Sequence, residues 1–260
     1  MRKVCLNILF LFAVILTSCE MQLRPFGEEP VVVSPSVLRY DRMESRYLST
    51  GDFTALQQMN TVYAQPTRLL VEDILRLGEV DSPEVPSLLL AYAQDSLMQT
   101  LIADVENVYA STAAIEKDLE VAFNRMSSLL PDVPWPVVYT QIGFLHQSVI
   151  VGDSIVGISL DKYLGSDYPL YAMYYDENQR VSMSQEYIVP DVLVFYLISH
   201  YPLSNFEVAT PEERDTHMGR VMYVANQLMN RQFFDTGQVS AAARLVKSEG
   251  MSLQELLRAQ

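Results

Sequence analysis

Cys19 is the residue whose chemistry is plainest. It follows Leu16-Thr17-Ser18, and the four together resemble a bacterial lipobox, with an aliphatic residue and two small ones ahead of a cysteine. Small side chains let the backbone enter a peptidase cleft, and the thiol is the nucleophile that accepts a diacylglycerol. Cleavage between Ser18 and Cys19 frees an amino terminus that can take a further acyl chain such as palmitate. Each buried methylene contributes about 0.8 kcal/mol, so several chains fasten a protein to a bilayer. Upstream, Arg2 and Lys3 precede Val4 to Leu16, an apolar run broken only by Asn7. At about 1.5 Å per residue this run falls short of the roughly 30 Å core of a bilayer, so it reads as an export signal and not as a span. Residues 1–18 are expected to form a signal peptide and residues 19–36 the acylated cysteine with its tether. Cleavage also removes Cys5, which leaves no pair of cysteines for a disulfide.

The other reactive residue types are less well arranged. His146, His200 and His217 are the three histidines, and no two lie three or four apart. No helical metal pair exists, and no G-x-S-x-G elbow or phosphate-binding glycine loop is present. His200 ends the apolar run from Phe195, after a hairpin, which is the layout of a zincin helix bearing H-E-x-x-H. Here the window is His200-Tyr201-Pro202-Leu203-Ser204. Tyr201 stands where the general base would be and Ser204 where the second ligand would be, while Pro202 denies the helix its next turn. No metal and no cofactor is expected. Asp153, Asp161, Asp167 and Asp176 surround the hairpin and its exit, without the tight alternation of a calcium loop. They read as turn formers and solvated acids. Tyr163, Tyr168, Tyr171, Tyr174 and Tyr175 either pack over the sheet or form a recognition surface.

The elements that must position these groups follow from periodicity. Helical spacing begins near Tyr40, runs through Leu56, Met59, Val62 and Tyr63 to Pro66, and continues from Leu69 to Leu77 until Gly78. Ser82-Pro83-Glu84 predicts a helix start, with Leu90, Leu97, Leu101, Val105 and Val108 on one continuous stripe. Ile115, Leu119, Ala122, Phe123, Met126, Leu129 and Leu130 mark a second helix, stopped by Pro131, Pro134 and Pro136. Val137 to Ile142, Val149 to Val151 and Ile155 to Leu160 read as strands, the last two joined by a tight turn at Gly152-Asp153. Val31-Val32-Val33 could add a short edge strand. Helices return at Val192 to Ile198 and after Thr210-Pro211-Glu212-Glu213, with Gly237 as the expected breaker, and close with Ser240 to Lys247 and Ser252 to Leu257. The fold class is α+β, mostly helical around a small central antiparallel sheet, with residues 37–260 as one domain. The chain is 49% hydrophobic and 19% charged, with 18 basic against 32 acidic residues and a net charge of −14. That excludes a disordered chain and a multi-span membrane protein, and a body so acidic repels nucleic acid.

Several stretches, in order, resemble the gliding-motility lipoprotein GldB-like family of Bacteroidetes. Leu38-Arg39-Tyr40-Asp41-Arg42 looks like its opening R-F-D signature, with Tyr for Phe. Gly157 to Gly165, reading G-I-S-L-D-K-Y-L-G, is similar to its I-G-L-D-x-Y-L-G segment. Tyr171, Tyr187-Ile188-Val189-Pro190-Asp191 and Gly219-Arg220-Val221-Met222-Tyr223 follow in sequence. The resemblance implies a distantly zincin-like fold without H-E-x-x-H and a longer C-terminal helical region than Gln238 to Gln260 provides. It also implies a non-enzymatic envelope lipoprotein facing the periplasm or the cell surface, on either membrane. Its expected partners are envelope proteins of the gliding or type IX secretion apparatus. Two other classes stay open: a divergent zincin-like metallopeptidase relative and a small-ligand or glycan-binding lipoprotein. Within the D-x-Y-L-G piece, Asp161 is expected to bond backbone N–H groups and Gly165 to supply a positive φ, with Tyr163 pointing inward. The three also stand as a candidate interaction surface.

Overall fold

In a computed structural model of the chain, residues 35–259 are described. The expected signal peptide, the lipobox with Ser18 and Cys19, nearly all of the tether and the Val31–Val33 strand lie outside them. The first described strand is β1 (Val37–Leu38), followed at once by α1 (Tyr40–Thr50). α2 (Phe53–Thr61) and α3 (Ala64–Arg68) come next, and α3 widens into a π-helical stretch at Leu69–Ile74. Pro66 sits inside the first turn of α3, where its missing N–H costs nothing.

The single stripe expected from Leu90 to Val108 is two helices, α4 (Val85–Ala93) and α5 (Ser96–Val108). Asp95 causes the break: its side chain accepts the Leu97 N–H at 2.7 Å and opens a new helix. Leu97 and Val108, counted on the inward stripe, are therefore exposed. Ser82-Pro83-Glu84 forms the turn before α4, with Glu84 at the cap position. α6 (Ala113–Leu129) buries Ile115, Leu119, Ala122, Phe123 and Met126, as its periodicity predicts, whereas Leu129, counted on the same stripe, is exposed.

With β1, strands β2 (Val137–Gln141), β3 (Val149–Gly152) and β4 (Ile155–Ser159) form, among the described residues, a four-stranded sheet in the order β1-β2-β4-β3. The α+β class holds, but the sheet is mixed and not wholly antiparallel. The β3–β4 hairpin is antiparallel, whereas β1–β2 and β2–β4 are parallel. The hairpin swings β4, not β3, against β2, and the return turn at Asp153-Ser154 puts Ser154 at φ 59°. In this register Gln141 lies opposite Ser159, so β2 and β4 end side by side.

The segment 160–187 holds a 3₁₀ turn (Leu160–Lys162), α7 (Tyr171–Tyr174), α8 (Glu177–Arg180) and a second 3₁₀ turn (Gln185–Tyr187). α9 (Ile188–His200), α10 (Pro211–Met229), α11 (Gly237–Glu249) and α12 (Leu253–Arg258) follow. α10 opens on the expected capping box, Thr210 with Glu213. Gly237 is not its breaker. Asn230 ends α10 in the left-handed region at φ 52°, and Gly237 begins α11. Buried Asn226 fixes the connection by accepting the Phe233 and Phe234 N–H groups and donating to the Phe234 carbonyl. One hydrophobic core runs from Val37 to Leu257, and a smaller cluster gathers Leu101, Leu145, Leu170, Tyr171 and Met183.

Candidate functional site

The sheet register brings two distant stretches together at the carboxyl ends of the parallel strands, the place where α/β sheets gather functional groups. One stretch is Arg39-Tyr40-Asp41 at the start of α1. Arg39 clasps Asp41 with two parallel bonds, Nε to Oδ1 at 2.9 Å and Nη2 to Oδ2 at 2.7 Å, and Thr140 on β2 also donates to Oδ1. Asp41 is buried while Arg39 stays partly exposed. Its hydrogen bond to Asp41 raises the Arg39 guanidinium above its ordinary value.

The other stretch is Asp161 to Gly165. Asp161 is wholly buried, and its two oxygens accept the N–H groups of Gly143 and Leu145, Gly143 at 2.7 Å. Phe144 and Leu145 adopt φ 49° and 65° to aim these amides inward. The loop wraps the carboxylate as backbone nests wrap anions, and two bulky residues in the left-handed region carry strain for it. Burial pushes the Asp161 carboxyl up to about 6, against the pull of the two amides.

Tyr109, at the end of α5, joins the stretches. Its carbonyl accepts Arg39 Nη2 and Arg42 Nη2, each at 2.8 Å, and its hydroxyl donates to the Tyr163 carbonyl. The Tyr163 hydroxyl in turn donates to Asp191 on α9 at 2.8 Å. Burial pushes Asp191 up to about 6 as well, and the Tyr163 bond partly offsets it. Gly165 sits at φ 120°, a conformation that side chains resist, and donates to the Met183 carbonyl at 3.0 Å. Asp161 and Tyr163, weighed as an interaction surface, do not reach the surface: the protein's own backbone and Asp191 occupy them.

The neighbouring tyrosines brace the same loop. Tyr171 donates to the Asp161 carbonyl and accepts the Leu164 N–H, Tyr175 donates to the Leu145 carbonyl, and Tyr168 donates to Asp104 at 2.8 Å. Of the five, Tyr174 alone is exposed. Gly157 is also used: a Cβ there would run into the Tyr139 ring across the β2–β4 pair. Gly219 does the same service between helices, since a Cβ would strike Gln238 of α11.

His146 stands apart from the other two histidines. Tyr92 bonds His146 Nε2 at 2.7 Å on the loop tip. His200 closes α9, with Nδ1 3.1 Å from the Tyr196 carbonyl. It lines a cavity of about 420 Å³ that His217 also reaches, beside Tyr201, Pro202 and Ser204. Among the described residues, no group of three or more His, Cys, Asp or Glu is arranged to hold a metal ion. Asp176 caps α8 through a capping box with Gln179, and Asp167 is exposed.

Sequence reasoning did not find Glu44, Gln141 or Tyr109. Glu44, on the buried face of α1, has its Oε2 on the Ile142 N–H at 2.8 Å. Its spacing of four from Tyr40 was the available signal. Nothing in the letters marks Phe144 and Leu145 for positive φ.

No curated protein and no solved structure matches the chain. The family model described as gliding motility protein GldB matches residues 28–233, which takes in both stretches that meet at Asp161 and Asp41. The chain belongs to the gliding motility protein GldB family of lipoproteins.

Proposed function

We propose that this protein is a non-catalytic, lipid-anchored component of the cell envelope that acts by binding other envelope proteins, among them parts of the gliding or type IX secretion apparatus. Cys19 carries the acyl chains. The observation that supports this reading most is the closure of the centre where the family's two stretches meet. Asp41, Asp161 and Tyr163 are buried and committed to the protein's own groups, so the residues that mark the family build the body and leave recognition to its outside. No described helix is long and apolar enough to cross a membrane.

The test is affinity capture of the tagged full chain from solubilised membranes, beside a Cys19→Ser form. The same envelope proteins should come down with both, and mass spectrometry should find acyl chains on Cys19 of the first only. Empty capture with both forms would refute binding as the activity. Stoichiometric zinc, lost in His200→Ala together with peptide hydrolysis, would move the protein to the metallopeptidase class.

A further inference from the structure

Glu44 lies one turn beyond Tyr40 on α1 and is wholly buried. Its Oε2 accepts the Ile142 N–H, and its Oε1 meets no donor. Gln141, the residue before Ile142, donates from Nε2 to Ser159 Oγ at 3.1 Å, and its own buried Oε1 also meets no donor. Glu44 Oε1 and Gln141 Oε1 are thus both buried acceptors without a donor among the described residues.

The charges facing this spot are all of one sign. Asp41 stands on the same helix and Asp161 on the turn after β4, and both act on Glu44. The cations of the region are committed elsewhere. Arg39 holds Asp41 and the Tyr109 carbonyl, while Arg42 holds the same carbonyl and lies near Asp41 and Glu106. Tyr40 and Tyr139 face it as uncharged phenols, their hydroxyls held neutral by burial. An ionised Glu44 would add a buried negative charge with a single donor beside two other carboxyls.

A neutral carboxylic acid fits instead. It keeps an acceptor for Ile142 and adds no buried charge beside Asp41 and Asp161. Asp161 is the opposite case, since each of its oxygens already takes an amide N–H, as a carboxylate does.

We propose that Glu44 is a neutral acid in the folded protein and Asp161 the charged partner, and that loss of the Glu44 proton loosens the loop Ile142–Ser148. The two carboxyls differ in their hydrogen-bond partners: Glu44 accepts one backbone N–H and Asp161 two. Burial, with Asp161 and Asp41 adding to it, pushes Glu44 in the same direction, well above the ordinary carboxylate range. A raised value in the folded state means that the stabilising contribution is present at low pH and is lost as pH rises through that value.

Hydrogen exchange on the full chain in detergent tests this between pH 6 and pH 9. Once intrinsic exchange is divided out, opening at the Ile142 and Gly143 amides should rise by about tenfold per pH unit below the Glu44 transition, where each opening releases one proton, and should level off above it. In Glu44→Gln, whose amide is neutral at every pH, that slope should vanish above pH 7. A pH-independent opening in the wild type, or an unchanged slope in Glu44→Gln, overturns the proposal. Infrared spectra of the wild type with isotopically labelled glutamate give a second readout that does not depend on the variant folding. A protonated carboxyl band should be present at pH 7, and its absence overturns the proposal equally.

Discussion

At the sheet end, Asp161 reaches back to Gly143 and Leu145, and Asp41 reaches Thr140, 99 residues away. In the C-terminal helices, Thr210 and Ser252 close their caps on Glu213 and Glu255, only three residues on. The first region commits buried carboxyls to groups distant along the chain, and the second commits exposed ones to its neighbours. Their responses to pH have opposite signs. Asp161 and Asp191 are raised to about 6 by burial, so their contribution is full below the ordinary value of 3.8 and is lost as pH climbs through 6. Glu213 and Glu255 are held low by bonds from the capping backbone, so theirs is present above the ordinary value of 4.5 and is lost as pH falls below it. Buried carboxyls and capping carboxyls therefore bound the range of maximal stability from opposite sides.

The comparison can be broken most forcefully at Asp161. Asp161→Ala leaves two buried amides without acceptors and should cost about 2–6 kcal/mol in denaturant unfolding, at roughly 1–3 kcal/mol per orphaned group. A loss below 1 kcal/mol would mean that the loop is not held by this carboxylate. Gly219→Ala forces α10 from α11 and should cost about 1–3 kcal/mol, with the melting midpoint as the readout. Tyr163→Phe removes the donor to Asp191 and should cost about 1.5 kcal/mol. The same change should move the Asp191 transition to higher pH in an NMR titration, since the bond now lowers it. Ser252→Ala should cost the least, about 1 kcal/mol, read as faster exchange confined to α12. If Ser252→Ala proved more damaging than Asp161→Ala, the contrast between the regions would be reversed.

The same contrast explains what the sequence disclosed. Caps are local, so Thr210-Pro211-Glu212-Glu213 and the start of α12 were legible, as was the β3–β4 hairpin from its turn. Asp161 as a backbone acceptor and Gly165 at positive φ were also legible, because an acid leaving a strand and a glycine four residues later have few other uses. The parallel pairing of β2 with β4 was not, since nothing local says which strand of a hairpin faces inward. Asp95 was overlooked because an apolar stripe hides a cap that falls within it. Glu44 was overlooked because a buried acid looks, letter by letter, like a solvated one.

β1 has a mechanical consequence. It is two residues long, it pairs parallel to β2, and the Arg39 clasp on Asp41 follows it immediately. A pull on the chain at Pro35, directed along the strand, loads both of its pairings in shear at once and then meets the guanidinium clasp. Resistance to such a pull is a matter of rate and not of equilibrium. In a protein held through its amino-terminal segment, Arg39 would work as a cleat, keeping tension on the line from unravelling α1.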